Sequence, residues 1–387
     1  MEIRYQLSSV AAAFAIVISQ PSIAVPQYIE APPLGKIVNV TVAPVKPGPV
    51  KVPFITWGAD MATIYANGND KSTSRDSIFG KRGLDLRLYR QNELAKQVGD
   101  YMQGETPYLR GTMGMINIAL DVLSKDERTK PVVIYQLSWS TGGDTLVVKP
   151  GISAPLRLKG KTIAMQAYGP HIDYVTWVLG VGKLNYDDVK IKWLPDFTGT
   201  DNSPSVALQD NSVDAAFMII PDAMAITSGG TVGTGEGGSI KGATILRSTS
   251  LQPRAIADVY AVRSDFLKEH PEQVQKFVDG LIEGAKQVGE LVAQKAARPD
   301  EYKAMLAASA ELLLDSREAT ADMESLYGDV SLAGLFGNIS FFNPNGHNNV
   351  GELTTRIQNF LIGAKMLANP IELAGASWNF QGVQINR

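Results

Sequence analysis

Lys161-Thr-Ile-Ala-Met-Gln-Ala167, followed by Tyr168-Gly169-Pro170-His171 and then by Ile172, Val175, Val178 and Leu179, is the stretch that decides the fold. The first seven residues have the length and apolar content of a buried strand. Gly169-Pro170 then opens a helix, because proline suits a first helical position where its missing N–H would be unpaired anyway. The apolar residues that follow repeat at helical spacing. Val189–Leu194 reads as the next strand, Val206–Gln209 as a short helix and Ala215–Ile220 as a buried strand. Such alternation implies an α/β lobe with a largely parallel sheet.

Upstream, the same texture recurs. Phe54–Trp57 reads as a short strand that ends in Gly58-Ala59-Asp60, and Leu84–Tyr89 alternates with period two. Asn92 has the chemistry of an N-cap, with Leu94, Val98 and Tyr101 on one helical face. Thr112–Met115 leads into a helix, and Pro131–Leu137 is a further strand. Beyond residue 258 the chain is helical, with Val274, Phe277, Val278, Leu281, Ile282, Ala285 and Val288 on one face. Glu301–Asp315 and Leu353–Leu367 are further helix candidates. These helices need a sheet to bury against. The economical arrangement is a first lobe of residues 54–140 plus 258–387, with a second lobe of 141–257 inserted. Each lobe is a central, mostly parallel sheet flanked by helices, with a cleft between the two.

Composition narrows the function. Of 387 residues, 44% are hydrophobic and the net charge is −3, so a foldable core is present and no basic excess favours nucleic acid. The absence of cysteine excludes disulfides, thiolate metal sites and cysteine nucleophiles. The three histidines, His171, His270 and His347, are far apart and form no HExxH pair. No catalytic residue, metal ligand or cofactor is expected. Residues 1–24 read as a secretory signal with an apolar core at Val10–Ile18 and a small-x-small site at Ser22-Ile23-Ala24. No later run reaches the roughly 18 apolar residues of a membrane span. A protein exported from the cytoplasm, without a membrane anchor of its own, is the expectation. Residues 25–53 hold seven prolines and read as an extended arm, in which Ile37–Val42 could add an edge strand.

Two phosphate-loop patterns fail on context. Gly233–Gly238 satisfies GxGxxG but does not join a strand to a helix, and Gly160-Lys161-Thr162 is followed by a strand. What remains are loops at strand ends, where open α/β sheets bind ligands. They carry Trp57, Gly58 and Asp60; Thr112 and Met113; Trp139, Ser140, Thr141 and Asp144; Tyr168, Gly169 and His171; and Pro221 with Asp222. Hydroxyls supply polar contacts, aromatics a stacking face, and glycine close backbone approach. Against this stands the simpler reading that Asp60 and Asp222 cap helices and that Trp57 and Trp139 are core.

Thr56–Asp60, Val132–Asp144, Leu158-Lys-Gly-Lys-Thr-Ile-Ala164 and Ala257–Asp265 together resemble ABC-transporter substrate-binding proteins of the type II periplasmic fold. The resemblance covers roughly residues 54–295 and is nearest to the nitrate, sulfonate, taurine and pyrimidine-precursor branch. It implies two lobes that close about a hinge on a small solute and then dock on a membrane permease. A solute-binding sensor or scaffold, and an enzyme on the same fold, are the alternatives. The enzyme class would be expected to use clustered histidines and cysteines.

The solute's charge is read two ways. A helix opening at Gly169-Pro170-His171 favours an anionic group. Asp60, Asp144 and Asp222 on facing loops favour a cation, and Arg110 is the one basic residue beside these loops. A small zwitterion or amine-bearing solute meets both signals, whereas free phosphate or nitrate does not; if two of the three aspartates only cap helices, a neutral solute or a small oxyanion such as phosphate, nitrate or sulfonate is the alternative.

The signal reading predicts cleavage after Ala24, with Val25 as the mature N-terminus. N-terminal sequencing of the exported protein checks it, and retention of residues 1–24 would refute it.

Overall fold

The structure, a computed structural model, describes residues 26–252 and 254–377; the signal expected over residues 1–24 lies outside them. The chain first lays down β1 (Val50–Phe54), α1 (Asp60–Ala66), β2 (Leu86–Arg90), α2 (Leu94–Met102), β3 (Tyr108–Thr112), α3 (Met113–Leu123) and β4 (Pro131–Ser140). It crosses to β5 (Asp144–Val148), β6 (Thr162–Gln166), α4 (His171–Val181), β7 (Lys190–Leu194), α5 (Pro204–Ala207), β8 (Ala215–Ile219), α6 (Ile220–Ile226) and β9 (Thr244–Ser248). It returns through β10 (Ala257–Arg263) to α7 (Ser264–Glu269), α8 (Pro271–Ala293), α9 (Pro299–Leu314) and α10 (Thr320–Gly328). The end is β11 (Val330–Leu332), α11 (Gly334–Phe342), α12 (Val350–Gly363) and β12 (Ala374–Gly375).

Two five-stranded sheets result. One has the order β11-β4-β10-β3 with β12 beside β4, and the parallel pair β1–β2 lies next to β3. The other has the order β7-β6-β8-β5-β9. Both are mixed. β6 runs parallel to β7 and β8, whereas β5 is antiparallel to β8 and β9, and β10 to β3 and β4. β5 and β10, each antiparallel to both its neighbours, enter their sheet directly from the other one, without a helical crossover to turn them round. The two crossovers, 141–143 and 249–256, run side by side. Ser140 N donates to Ile256 O at 3.2 Å and Thr249 N to Asp144 O at 2.9 Å.

Local chemistry explains the element ends. Thr112 caps α3 by accepting from Met115 N. Asn92 does not cap α2; Glu93 stands at that position, and Asn92 Oδ1 accepts from Thr56 N at 2.8 Å instead. Pro170 stands one residue outside α4, as its N-cap. The whole predicted face of α8, from Val274 to Val288, is buried against α1 and its neighbours.

The proline-rich arm follows both lobes. Ile29 bridges Trp193 at the edge of β7, and Tyr28 Oη donates to Asp210 at 2.7 Å. Further on, Gly35 N donates to Asp121 on α3, and Ala43 N to Met102 O at the end of α2. The edge strand expected at Ile37–Val42 does not form. Its alternation is real, since Val38 is buried and Val40 and Val42 pack on the same core, but helices rather than a strand edge lie beneath it. That core runs from α2 and α3 through β6 and α4 to α12, so apolar packing joins the lobes on one side of the cleft.

Beneath the cleft lies a buried ion triad. Arg110 on β3 donates through Nε and Nη2 to Asp60 at 3.0 and 2.7 Å, and through Nη1 to Asp258 on β10 at 2.8 Å. Burial pushes the Asp60 carboxyl up to about 6, with Arg110 pulling against it, and raises Asp258 in the same way. Removing one partner strands a buried charge, at about 3–5 kcal/mol. An Arg110→Met variant should lose stability of that order in urea unfolding at pH 8. The deficit should shrink towards pH 5, as the two aspartates take up protons. A loss below about 1 kcal/mol at pH 8 would show the triad to be dispensable.

Candidate functional site

A cavity of about 550 Å³ opens between the two sheets, at the ends of their strands. Its first wall comes from the first lobe: Ile55, Thr56 and Trp57 after β1, Asn92, and Thr112 with Met115 at the start of α3. The opposite wall comes from the second lobe: Gln166 and Pro170 between β6 and α4, Phe197 and Thr198 after β7, and Ile219, Ile220 and Pro221 after β8. Ser140, Gly143, Asp144, Ile256 and Asp258 from the crossovers form the floor. A third side is made by Leu314 and by Asp322, Ser325, Leu326 and Asp329 in and after α10.

Of the residues singled out in the sequence, Trp57, Thr112, Ser140, Asp144 and Pro221 line this cavity. The others are near it but turned elsewhere. Asp60 is fully buried on Arg110, so it has no free carboxylate to offer. Gly58 is buried where a Cβ would meet the Leu326 carbonyl oxygen at 2.3 Å. Met113 points into the core, and Met115 takes its place in the wall. Trp139 packs edge-to-face on Phe341, away from the cleft, because alternate residues of a strand face opposite sides. Thr141 N donates to Asp329 O at 2.8 Å. Tyr168 adopts φ 60° and donates from Oη to Pro32 O in the arm. Gly169 sits where a Cβ would meet Gln166 Oε1 at 2.2 Å. Asp222 accepts from Thr198 Oγ1 at 2.8 Å.

His171 lies one layer behind the cavity, its ring tilted against those of Phe197 and Phe217. Its Nε2 is 2.9 Å from Asp144 Oδ1 and its Nδ1 has no partner, which fits the tautomer carrying its proton on Nε2.

Several side-chain donors in the walls are already taken up. Thr112 Oγ1 donates to Asp173 at 2.5 Å, Ser140 Oγ to Asp144 at 2.7 Å and Thr198 Oγ1 to Asp222. Trp57 Nε1 points to Ser138 Oγ at 3.3 Å and Gln166 Nε2 to Pro195 O at 3.3 Å. Those hydroxyls therefore present lone pairs to the cavity. Asp144, Asp322 and Asp329 line it, as does Asp258, whose oxygens are taken by Arg110 and Ser138, and among the described residues no lysine or arginine does. Burial, with Asp144 nearby, holds the Asp329 carboxyl above its ordinary value. Close approach makes this possible: Cβ atoms at Gly142 and Gly143 would meet Asp329 Oδ1 at 2.4 Å and the Trp57 ring at 2.9 Å. Asp329 and the α10 wall carried no signal in the sequence, because they reach the cleft only when the helical tail folds back. Among the described residues no group of three or more His, Asp or Glu side chains is arranged to hold a metal ion.

No protein-family model matches the chain, and no curated protein matches it in sequence. Solved structures do match it in shape. The periplasmic aliphatic sulphonate binding protein SsuA of Escherichia coli aligns over 88% of this chain and 98% of its own, at 13% identity and TM-score 0.52. The alkanesulfonate-binding protein SsuA of Xanthomonas axonopodis pv. citri, bound to MOPS, aligns over 84% and 96%, at 13% identity and TM-score 0.51. A Candida albicans protein exhibiting the generic periplasmic binding protein structural fold aligns over 84% and 92%, at 12% identity and TM-score 0.50. At such identities the likeness is one of fold.

Asp173, behind Thr112, is a second buried carboxyl near the cleft that titrates well above its ordinary range. Burial pushes it up to about 7, against hydrogen bonds from Thr112 and Gly114 and the charge of Arg356, while Asp258 adds to the rise. Its unfolded value is near 3.8. The folded chain therefore holds a proton that the unfolded chain has lost, and stability falls as pH rises from about 4 to about 7. An Asp173→Asn variant lacks this penalty. Relative to the parent it should gain about 1 kcal/mol or more between pH 5 and pH 8 in chemical denaturation. An unchanged difference would show that the carboxyl does not titrate in this range.

Proposed function

From a chain with the periplasmic-binding-protein fold and a cleft that presents acceptors, we propose an extracytoplasmic solute-binding protein that takes a small amine-bearing organic molecule. The lobes are residues 54–140 with 258–387, and 141–257. They move about the paired crossovers to enclose the solute and deliver it to an ABC permease, and the protein acts as a monomer in the periplasm without catalysis. One observation carries the solute class: wall hydroxyls point their protons at protein carboxylates, while Asp144, Asp322 and Asp329 line the cavity with no lysine or arginine among its described lining residues. A cation or an amine supplies the missing donors, and the Trp57 ring offers it a π-face. An oxyanion would meet carboxylates and lone pairs. Binding shifts the lobes only if the solute contacts both, and Asp144, Asp329 and Thr198 are spread so that it can.

Titration calorimetry with putrescine, glycine betaine and taurine, beside inorganic phosphate and nitrate, tests this. Binding of an amine-bearing probe is expected. It should weaken about tenfold or more in Asp144→Asn and Asp329→Asn, since a charge-assisted contact contributes about 1.5–3 kcal/mol. Trp57→Ala should cost about 2 kcal/mol, or roughly 30-fold. Trp139→Ala, off the cleft, should leave affinity unchanged. Tight binding of phosphate or nitrate, indifferent to the aspartate changes, would overturn the reading.

A further inference from the structure

Asp173 belongs to the first turn of α4 in the second lobe, yet its side chain bonds to the first. Oδ2 accepts from Thr112 Oγ1 at 2.5 Å and from Gly114 N at 2.9 Å. Both donors stand at the start of α3, where Thr112 is the cap and Gly114 the second residue. A helix start carries unpaired N–H groups and a partial positive charge, so it is where a cleft would hold an anion. Here the protein's own carboxyl group fills that place. The fit needs Gly114, since a Cβ there would stand 2.4 Å from Asp173 Oδ2. Asp173 is fully buried, and its Oδ1 has no partner. A buried, half-satisfied carboxyl is costly, so local stability does not account for it. Thr112 lines the cavity, which makes this helix end continuous with the solute site.

We propose that Asp173 is a specificity-determining latch: it holds α4 against α3, closing the lobes without solute, and it occupies the anion-holding end of α3 so that anions are refused. Oδ2 accepts both hydrogen bonds whether or not the group is ionised, so the latch works in either state. From α12, Arg356 turns to Thr176 Oγ1 and Ala255 O, at 3.2 and 3.3 Å, rather than to Asp173. Asp258 faces the group from β10. The inference deepens the reading of an acceptor-lined cleft and rests on that same cleft.

The test uses the purified chain and its Asp173→Ala, Asp173→Asn and Gly114→Ala variants, with folding checked by circular dichroism. Solute-free small-angle scattering reads closure, and titration with sodium sulfate reads anion binding. Asp173→Ala and Gly114→Ala should show a larger radius of gyration. Asp173→Ala should bind sulfate at least tenfold more tightly than the parent, whereas Asp173→Asn, which keeps an acceptor of the same shape, should behave as the parent. A folded Asp173→Ala with parental scattering and sulfate affinity overturns the latch. Should that variant fail to fold, Gly114→Ala decides in its place, because it retains the carboxyl group but displaces it. Amine binding by the parent together with an unmoved Asp173→Ala refutes the latch alone. Absence of amine binding together with an opened, sulfate-binding Asp173→Ala refutes the solute class alone.

Discussion

A single guanidinium underlies the cleft. Arg110 is shared by Asp60, the first residue of α1, and by Asp258, at the start of β10. Asp258 also accepts from Ser138 Oγ on β4 at 3.1 Å, and Ser138 in turn receives the Trp57 indole. Four segments far apart in the chain are thereby pinned at the level where the solute site begins. Each polar group in the network satisfies another, which is the condition under which buried charge is tolerated. Trp57 and Asp258 are part of the cavity surface because this network is beneath them.

From that base the second lobe is held in two different ways. The paired crossovers are narrow and bonded to each other, which suits a hinge. On one side, however, α3, α4 and α12 share an apolar core, and the arm runs across both lobes above it. Burial of this kind contributes roughly 25 cal/mol per Å², so wide opening on that side would be costly. On that side the apolar core and the contact of Asp173 with the start of α3 act together.

The polarity of the cavity follows from where protons already point. Hydroxyl groups are neutral in principle, able to donate or accept. Carboxylates behind Thr112, Ser140 and Thr198 use up the donor role and leave the accepting face towards the cavity. The sulfonate-binding proteins that share the fold therefore say little about what this chain holds, since the fold sets where a solute sits and the polarity of the walls sets which one.

Much of the architecture was legible in periodicity. The strand–turn–helix unit at Lys161–Leu179 and the single face of α8 follow from apolar spacing, which burial enforces locally along each element. Strand ends also pointed to Trp57, Thr112, Ser140, Asp144 and Pro221, because chain direction and sheet order put those ends at the cleft. Whether an aspartate there faced solute or protein was decided only in three dimensions. Asp60 and Asp144 look alike in sequence, but a buried arginine on β3 claims one, while His171 and Ser140 orient the other at the cavity floor. Likewise Asp329, Ser325 and Leu326 reach the site through the folding back of the helical tail. Periodicity reports which side of an element is buried; the partner it is buried against is a long-range property, set by packing between segments that sequence leaves hundreds of residues apart.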